Sequence, residues 1–281
     1  MTIFEESILL YCKSTQFYIP IEIIKIIRSF LYFDINDKNI TIAVDEWQEN
    51  KKNALILYGH ISYWDTSMVT DMSNLFLLCC GFNDDIQYWD VSNVKNMESM
   101  FHGAINFNQS IMRWDVGNVK NMKCMFYSAE SFNQNINDWN VSNVENMAYM
   151  FYNAASFTQN INNWDVRKVK NMKYMFYHTK FFNQNINDWN VSQVKNMNSM
   201  FRGAVAFNQP LNKWNVSNVT DMSSMFNGAI LFNQDINMWN INKVKNMEWM
   251  FYGAYSFNKL IINWNLHNVK YKKHMFFITN N

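Results

Sequence analysis

Apolar and polar positions recur along the chain with a period that no single helix or strand can produce. Tryptophan falls at 64, 89, 114, 139, 164, 189, 214, 239 and 264, always 25 residues apart. Valine follows five positions later, from Val69 to Val269, and methionine eight positions later, from Met72 to Met247. Phenylalanine comes twelve positions after Trp, as in Phe101, and again at eighteen, as in Phe107. An Ile or Leu precedes the next Trp by three, as in Ile111 and Leu211. A fixed period of this length marks a stacked-repeat architecture. One such unit buries too little apolar surface to offset the entropy of ordering it, so neighbouring units must share a core.

Within a unit the pattern predicts two short elements. Around Trp-Asp-Val the apolar residues alternate with polar ones, which is strand periodicity. Met97, Met100, Phe101 and Ala104 then follow i, i+3, i+4, i+7, the spacing of one helical face. Asn96 or Asp221 suits the N-cap of that helix, and Gly103, Gly203, Gly228 and Gly253 suit its end. The expected fold is therefore an α/β repeat solenoid, with a short parallel strand and a short helix in each of about nine coils.

The motifs WDVSNV, DMSSMF and GAxxFNQ, with the entry sequence YGHISYWDTSMVTDMSNLF, resemble the BspA-like leucine-rich-repeat surface proteins. More narrowly they resemble the 25-residue repeats of mycoplasma lipoproteins. The likeness covers residues 38 to 279. It implies a leucine-rich-repeat-like solenoid and a role in adhesion or protein binding, with cell-surface display as one location.

Three regions follow. Residues 1–37 carry YIPIEIIKIIRSFLYF, where Pro20 opens a helix with Ile21, Ile24, Ile27 and Leu31 on one stripe. This helix is similar to the first helix of an F-box, and the likeness implies a ubiquitin-ligase linker as an alternative partner; a plain packing helix is the other reading. Residues 38–63 form an N-terminal cap, with Ile40, Ala43, Val44 and Trp47 on one helical face over 38–58. Residues 64–281 hold the nine repeats, the last one truncated.

Composition narrows the function. The chain of 281 residues is 49% apolar, with only 7 Gly and 2 Pro, so it suits a packed core and not a linker. A net charge of +1 offers no global field for nucleic acid. The first residues, MTIFEESILLYCKSTQF, lack the basic start and long apolar run of a signal peptide, which favours an intracellular location. No run of 18 apolar residues suggests a membrane span. His60, His102, His178, His267 and His274 show no metal spacing, and Cys12, Cys79, Cys80 and Cys124 show neither a zinc nor a disulfide framework. No catalytic residue, cofactor or metal is expected.

Three rows remain open to solvent in this reading. Asp65, Asp90, Asp115 and Asp165, with Asn in the other coils, follow each Trp. They suit an amide ladder, a recognition strip or a cation row. Lys95, Lys120, Lys170 and Lys195 lie six after Trp and predict a basic stripe. The residues before Trp and three after it vary most. Tyr63, Tyr88, Arg113 and Arg167 are the anchors expected there, because large planar side chains dominate protein contacts. The function expected is a non-enzymatic protein-interaction solenoid, and the alternative is a substrate-recognition adaptor of a ubiquitin ligase.

Overall fold

A computed structural model describes residues 33–276. The proposed helix over 21–31 lies outside the described residues. Helix α1 (Ile40–Glu49) buries Ile40, Ala43, Val44 and Trp47, one face at helical spacing. Asn50 leaves helical geometry and its side chain accepts the Asn53 N–H, so it ends α1 and caps helix α2 (Lys51–Tyr58). Gly59, at φ 71°, stops α2 in a conformation only glycine adopts freely.

The repeats, numbered here as coils 1 to 9 from Trp64 to Trp264, overturn the expected α/β solenoid. Among the described residues no strand longer than one bridge pair occurs, and the only α-helices are α1 and α2, both ahead of the repeats. Each coil is a run of tight turns. Parallel β-bridging between coils is reduced to one bridge per step, from Asp71–Asn96 to Asn246–Tyr271.

Backbone hydrogen bonds explain why neither regular element forms. In coil 2 the N–H groups of Met97, Ser99, Phe101 and Gly103 donate to carbonyls of Asn121, Lys123, Met125 and Tyr127 in coil 3, at 2.7–2.9 Å. The intervening N–H groups of Met100, His102 and Ala104 donate three residues back within their own coil, at 3.1–3.3 Å. Alternate donors thus serve the stack and the turn, and every one finds a partner. A helix would send all of them four residues back. The geometry is set by left-handed residues ten and fourteen after Trp, such as Ser99 (φ 57°) and Gly103 (φ 70°). The glycines expected to stop a helix stand inside this turn run instead.

The apolar rows are buried in nearly every coil: Trp, both Val positions, both Met positions, both Phe positions, Ala and Ile. The side chains stack in columns. Phe101 lies flat on Phe107 at 4.0 Å within its coil and on Phe126 of the next coil at 5.6 Å. Trp164 lies on Trp189 at 6.2 Å and 4°. From coil 2 onward each column indole N–H donates to the carbonyl 28 residues earlier, as Trp114 to Ile86 at 3.2 Å and Trp164 to Ile136 at 2.9 Å. Coil 5 puts Thr179 in the Ala row, and its buried hydroxyl donates to the Phe151 carbonyl at 2.7 Å.

The cap supplies the partners coil 1 lacks. Trp64 donates to Gly59, and Trp47 meets the Trp64 ring edge-on at 6.1 Å. Trp47 also donates to Asp84 at 2.8 Å. The Asp37 carboxylate accepts the Thr70 N–H and hydroxyl and the Asp71 N–H, at 2.7–3.1 Å. Burial works against its charge, but these hydrogen bonds outweigh burial and hold it below the ordinary carboxylate range.

Candidate functional site

The acidic and amide row after Trp is neither a ladder nor a free strip. In all nine coils its side-chain oxygen accepts the backbone N–H two residues on. Asp65 takes Ser67, Asp90 takes Ser92, Asp115 takes Gly117 and Asp165 takes Arg167, at 3.0–3.2 Å. Asn140, Asn190, Asn215, Asn240 and Asn265 do the same. These are Asx turns, which Asp and Asn form equally well. The row seven after Trp repeats the device, as Asn96 with Glu98 and Asp221 with Ser223. The residues suited to N-caps therefore nucleate turns.

Arg167 closes onto its own Asp165 at 2.7 Å, and this pair, led by the Arg167 hydrogen bond, holds the Asp165 carboxyl low. Lys95, Lys120, Lys170 and Lys195 are exposed, and their N–H groups carry one inter-coil bond each, to Thr70, Lys95, Glu145 and Lys170. Lys170 also pairs with Glu145, which interrupts the basic stripe. Tyr88 and Arg113 are exposed and Tyr63 is half-buried. Tyr63 lies 6.0 Å from the His60 ring.

A second surface was not visible in the rows read from the sequence. Thirteen after Trp, Tyr127, Tyr152 and Tyr177 stack across coils 3, 4 and 5 at 4.2 and 4.4 Å, both at 4°. Ten after Trp, Tyr149 stacks on Tyr174 at 4.7 Å. His102 covers one end of the longer column at 4.3 Å from Tyr127. Arg202 lies over Tyr177 at the other, and Lys173 lies over Tyr149. Burial, then the hydroxyls of Tyr127 and Tyr177, push the Tyr152 phenol well above its ordinary range. His178, beside Tyr177, is pushed down by burial and then by the Arg202 and Lys180 charges. The 25-residue spacing of the three tyrosines was the signal that could have revealed the column.

Among the described residues no group of three His, Cys, Asp or Glu side chains converges as a metal site would require. Cys79, Cys80 and Cys124 are free thiols. No described helix is long and apolar enough to cross a membrane.

The family model described as "Mycoplasma protein of unknown function, DUF285" matches residues 46–157, 113–205, 134–229 and 182–281, which together span most of the chain. The chain belongs to that family. The overlapping DUF285 matches follow from the internal period, since the model fits the same coils in several registers. The narrower likeness to BspA-like leucine-rich-repeat proteins and the F-box likeness gain nothing from the DUF285 match. No curated protein matches this DUF285 chain.

Proposed function

We propose that this DUF285 protein is a non-enzymatic interaction protein that holds a protein partner on side chains flanking its tryptophan column. The observation that carries the reading is a contrast between rows. Buried rows repeat from coil to coil, whereas the exposed row before Trp runs Tyr88, Arg113, Asp138, Asn163, Asp188, Lys213, Met238, Asn263. A scaffold alone needs no such variety. A partner that reads individual coils does, and Tyr and Arg are the residues that dominate such contacts. The Asx turns add rigidity, so that contact with Tyr88, Arg113 or Arg167 orders little backbone.

A photo-activated cross-linker placed at Tyr88, at Arg113 or at the exposed control Leu231 tests the reading in the native cell. The expected result is one shared protein adduct at the first two sites and none at Leu231. Its yield falls in the variant Y88A/R113A/R167A. The same adducts in the same yield at all three sites would sink the proposal.

A further inference from the structure

The tyrosine column sits on a different stretch of the coil from the proposed partner face, and folding does not account for it. All coils share one backbone course, and ten after Trp that course is left-handed. Asn74, Ser99, Cys124, Ser199 and Ser224 occupy the position in other coils, and Trp249 and His274 take it in coils 8 and 9. Tyr149 and Tyr174 occupy it at φ 60° and 58°. A bulky aromatic side chain in that region is strained by about 1–3 kcal/mol, and such strain concentrates at functional sites. These tyrosines are half-buried on the surface and fill no part of the core.

The stacking geometry decides what the column can bind. Both faces of Tyr152 are covered, by Tyr127 and Tyr177, and yet the residue is half-exposed. What reaches solvent is therefore the ring rim and the hydroxyl. With His102 on Tyr127 and Arg202 over Tyr177 at its ends, this column of three offers no open face to a ligand that stacks on an aromatic ring, such as a sugar or a base. Aromatic rims carry the positive side of the ring quadrupole. The cations add to this: Arg202 at 5.6 Å from the Tyr177 ring, Lys173 at 5.3 Å from Tyr149, and the exposed Lys180. Lys123 is matched by Glu98 of coil 2 at 2.6 Å; of the acids in coils 3 to 5, Glu130 lies three residues from Tyr127, and Glu145, four residues from Tyr149, is paired with Lys170. The strip is also bounded. Ser199 with Arg202, then Ser224 with Asn227, replace the tyrosine pair in coils 6 and 7.

We propose that Tyr127, Tyr149, Tyr152, Tyr174 and Tyr177, with Lys173 and Arg202, form a pre-stacked docking strip for an acidic peptide segment of a protein partner. Tyrosines held in a column lose little side-chain entropy on binding, and their hydroxyls donate to carboxylates. The cationic flank supplies charge complementarity.

The repeat itself supplies substitutions that keep the fold. Asn227 stands at the Tyr152 position in coil 7 and Ser199 at the Tyr174 position in coil 6. The test uses the full chain, the variants Y127N/Y152N/Y177N and Y149S/Y174S, and labelled peptides in which Leu alternates with Glu, Gln or Lys. Fluorescence anisotropy reads affinity, and thermal melting verifies folding. The expected result is that the Glu peptide binds about tenfold or more tightly than the Gln peptide, with the advantage shrinking as salt is added. Each variant is expected to lose about tenfold in Glu-peptide affinity. The variant Y88A/R113A is expected to bind it normally, so the outcome is separate from that of the cross-linking experiment. Equal binding of Glu and Gln peptides, no binding of either, or full binding by folded tyrosine variants would each overturn the proposal.

Discussion

Trp164 offers the sharpest test of how the coils hold together. It is 3% exposed, donates to the Ile136 carbonyl at 2.9 Å and has Phe151 and Trp189 against its ring. Truncation to Ala removes a buried side chain at the centre of the stack, and the cost expected is about 4 kcal/mol. Trp164→Phe keeps an aromatic plane in the column. The Ile136 carbonyl also accepts the Trp139 N–H at 3.2 Å, so it is not orphaned by this change. The loss is then the net value of one hydrogen bond plus a small deficit of volume, about 2 kcal/mol in all. Trp264, in coil 9, stacks only on Trp239 within the tryptophan column, and Trp264→Ala is expected to cost about half as much as Trp164→Ala, because stability in such arrays is largely interfacial. Urea unfolding followed by far-ultraviolet circular dichroism measures all three without relying on tryptophan emission. A fall in the urea slope of Trp164→Ala would mean that the array has split at coil 5. The reasoning fails if Trp164→Ala costs under about 1 kcal/mol, or if it matches Trp264→Ala.

Other changes probe the turns and the cap. Ser128 is left-handed (φ 51°) at the row where Gly103 and Gly203 stand, so Ser128→Gly is expected to raise stability by about 0.5 kcal/mol and lift the melting temperature. Asn140 accepts both the N–H and the hydroxyl of Ser142, so Asn140→Ala should cost about 1 kcal/mol in urea unfolding. Asn140→Asp, which copies Asp90, should leave the urea midpoint unchanged. The His60 ring is pushed low by burial, with Lys51 acting in the same sense and Asp84 against it, and its Nδ1 accepts the Ser62 N–H. A lowered folded value means that stability is whole above the unfolded value of about 6.5 and falls as the pH drops through it. His60→Gln should flatten that slope in melting curves taken across the range.

The period, the buried rows and the cap face were legible in the sequence because burial writes apolar letters directly. Ile40, Ala43, Val44 and Trp47 did mark a helix. Met97, Met100, Phe101 and Ala104 did not, although their spacing is the same. Turns closed three residues back also bring i, i+3 and i+4 to one side, so burial alone cannot separate them from a helix. The separating letters were polar: Ser99 and Gly103 at left-handed positions, and Asn96 opening an Asx turn. Many of the 45 asparagines of the chain serve either these turns, as Asn96 and Asn140 do, or bonds between coils, as Asn108 and Asn118 do. At the surface, Tyr88 and Arg113 are exposed as the alternation predicts, but Asp65, Asp90 and Asp115 spend an oxygen on their own backbone. The tyrosine column is harder to see because it fills only three successive coils, so its 25-residue spacing is short against rows that run the length of the chain.

The indole bond that reaches back 28 residues also fixes how this gene can change length. A deletion of a few codons would pull one Trp N–H off its carbonyl and shift every column above it. Removal or duplication of 25 codons restores each ring, bond and turn one step along. Length polymorphism among close copies of this chain should therefore be quantised in whole coils, and recombination can extend or shorten the molecule's reach while keeping the repeated buried columns and backbone bonds.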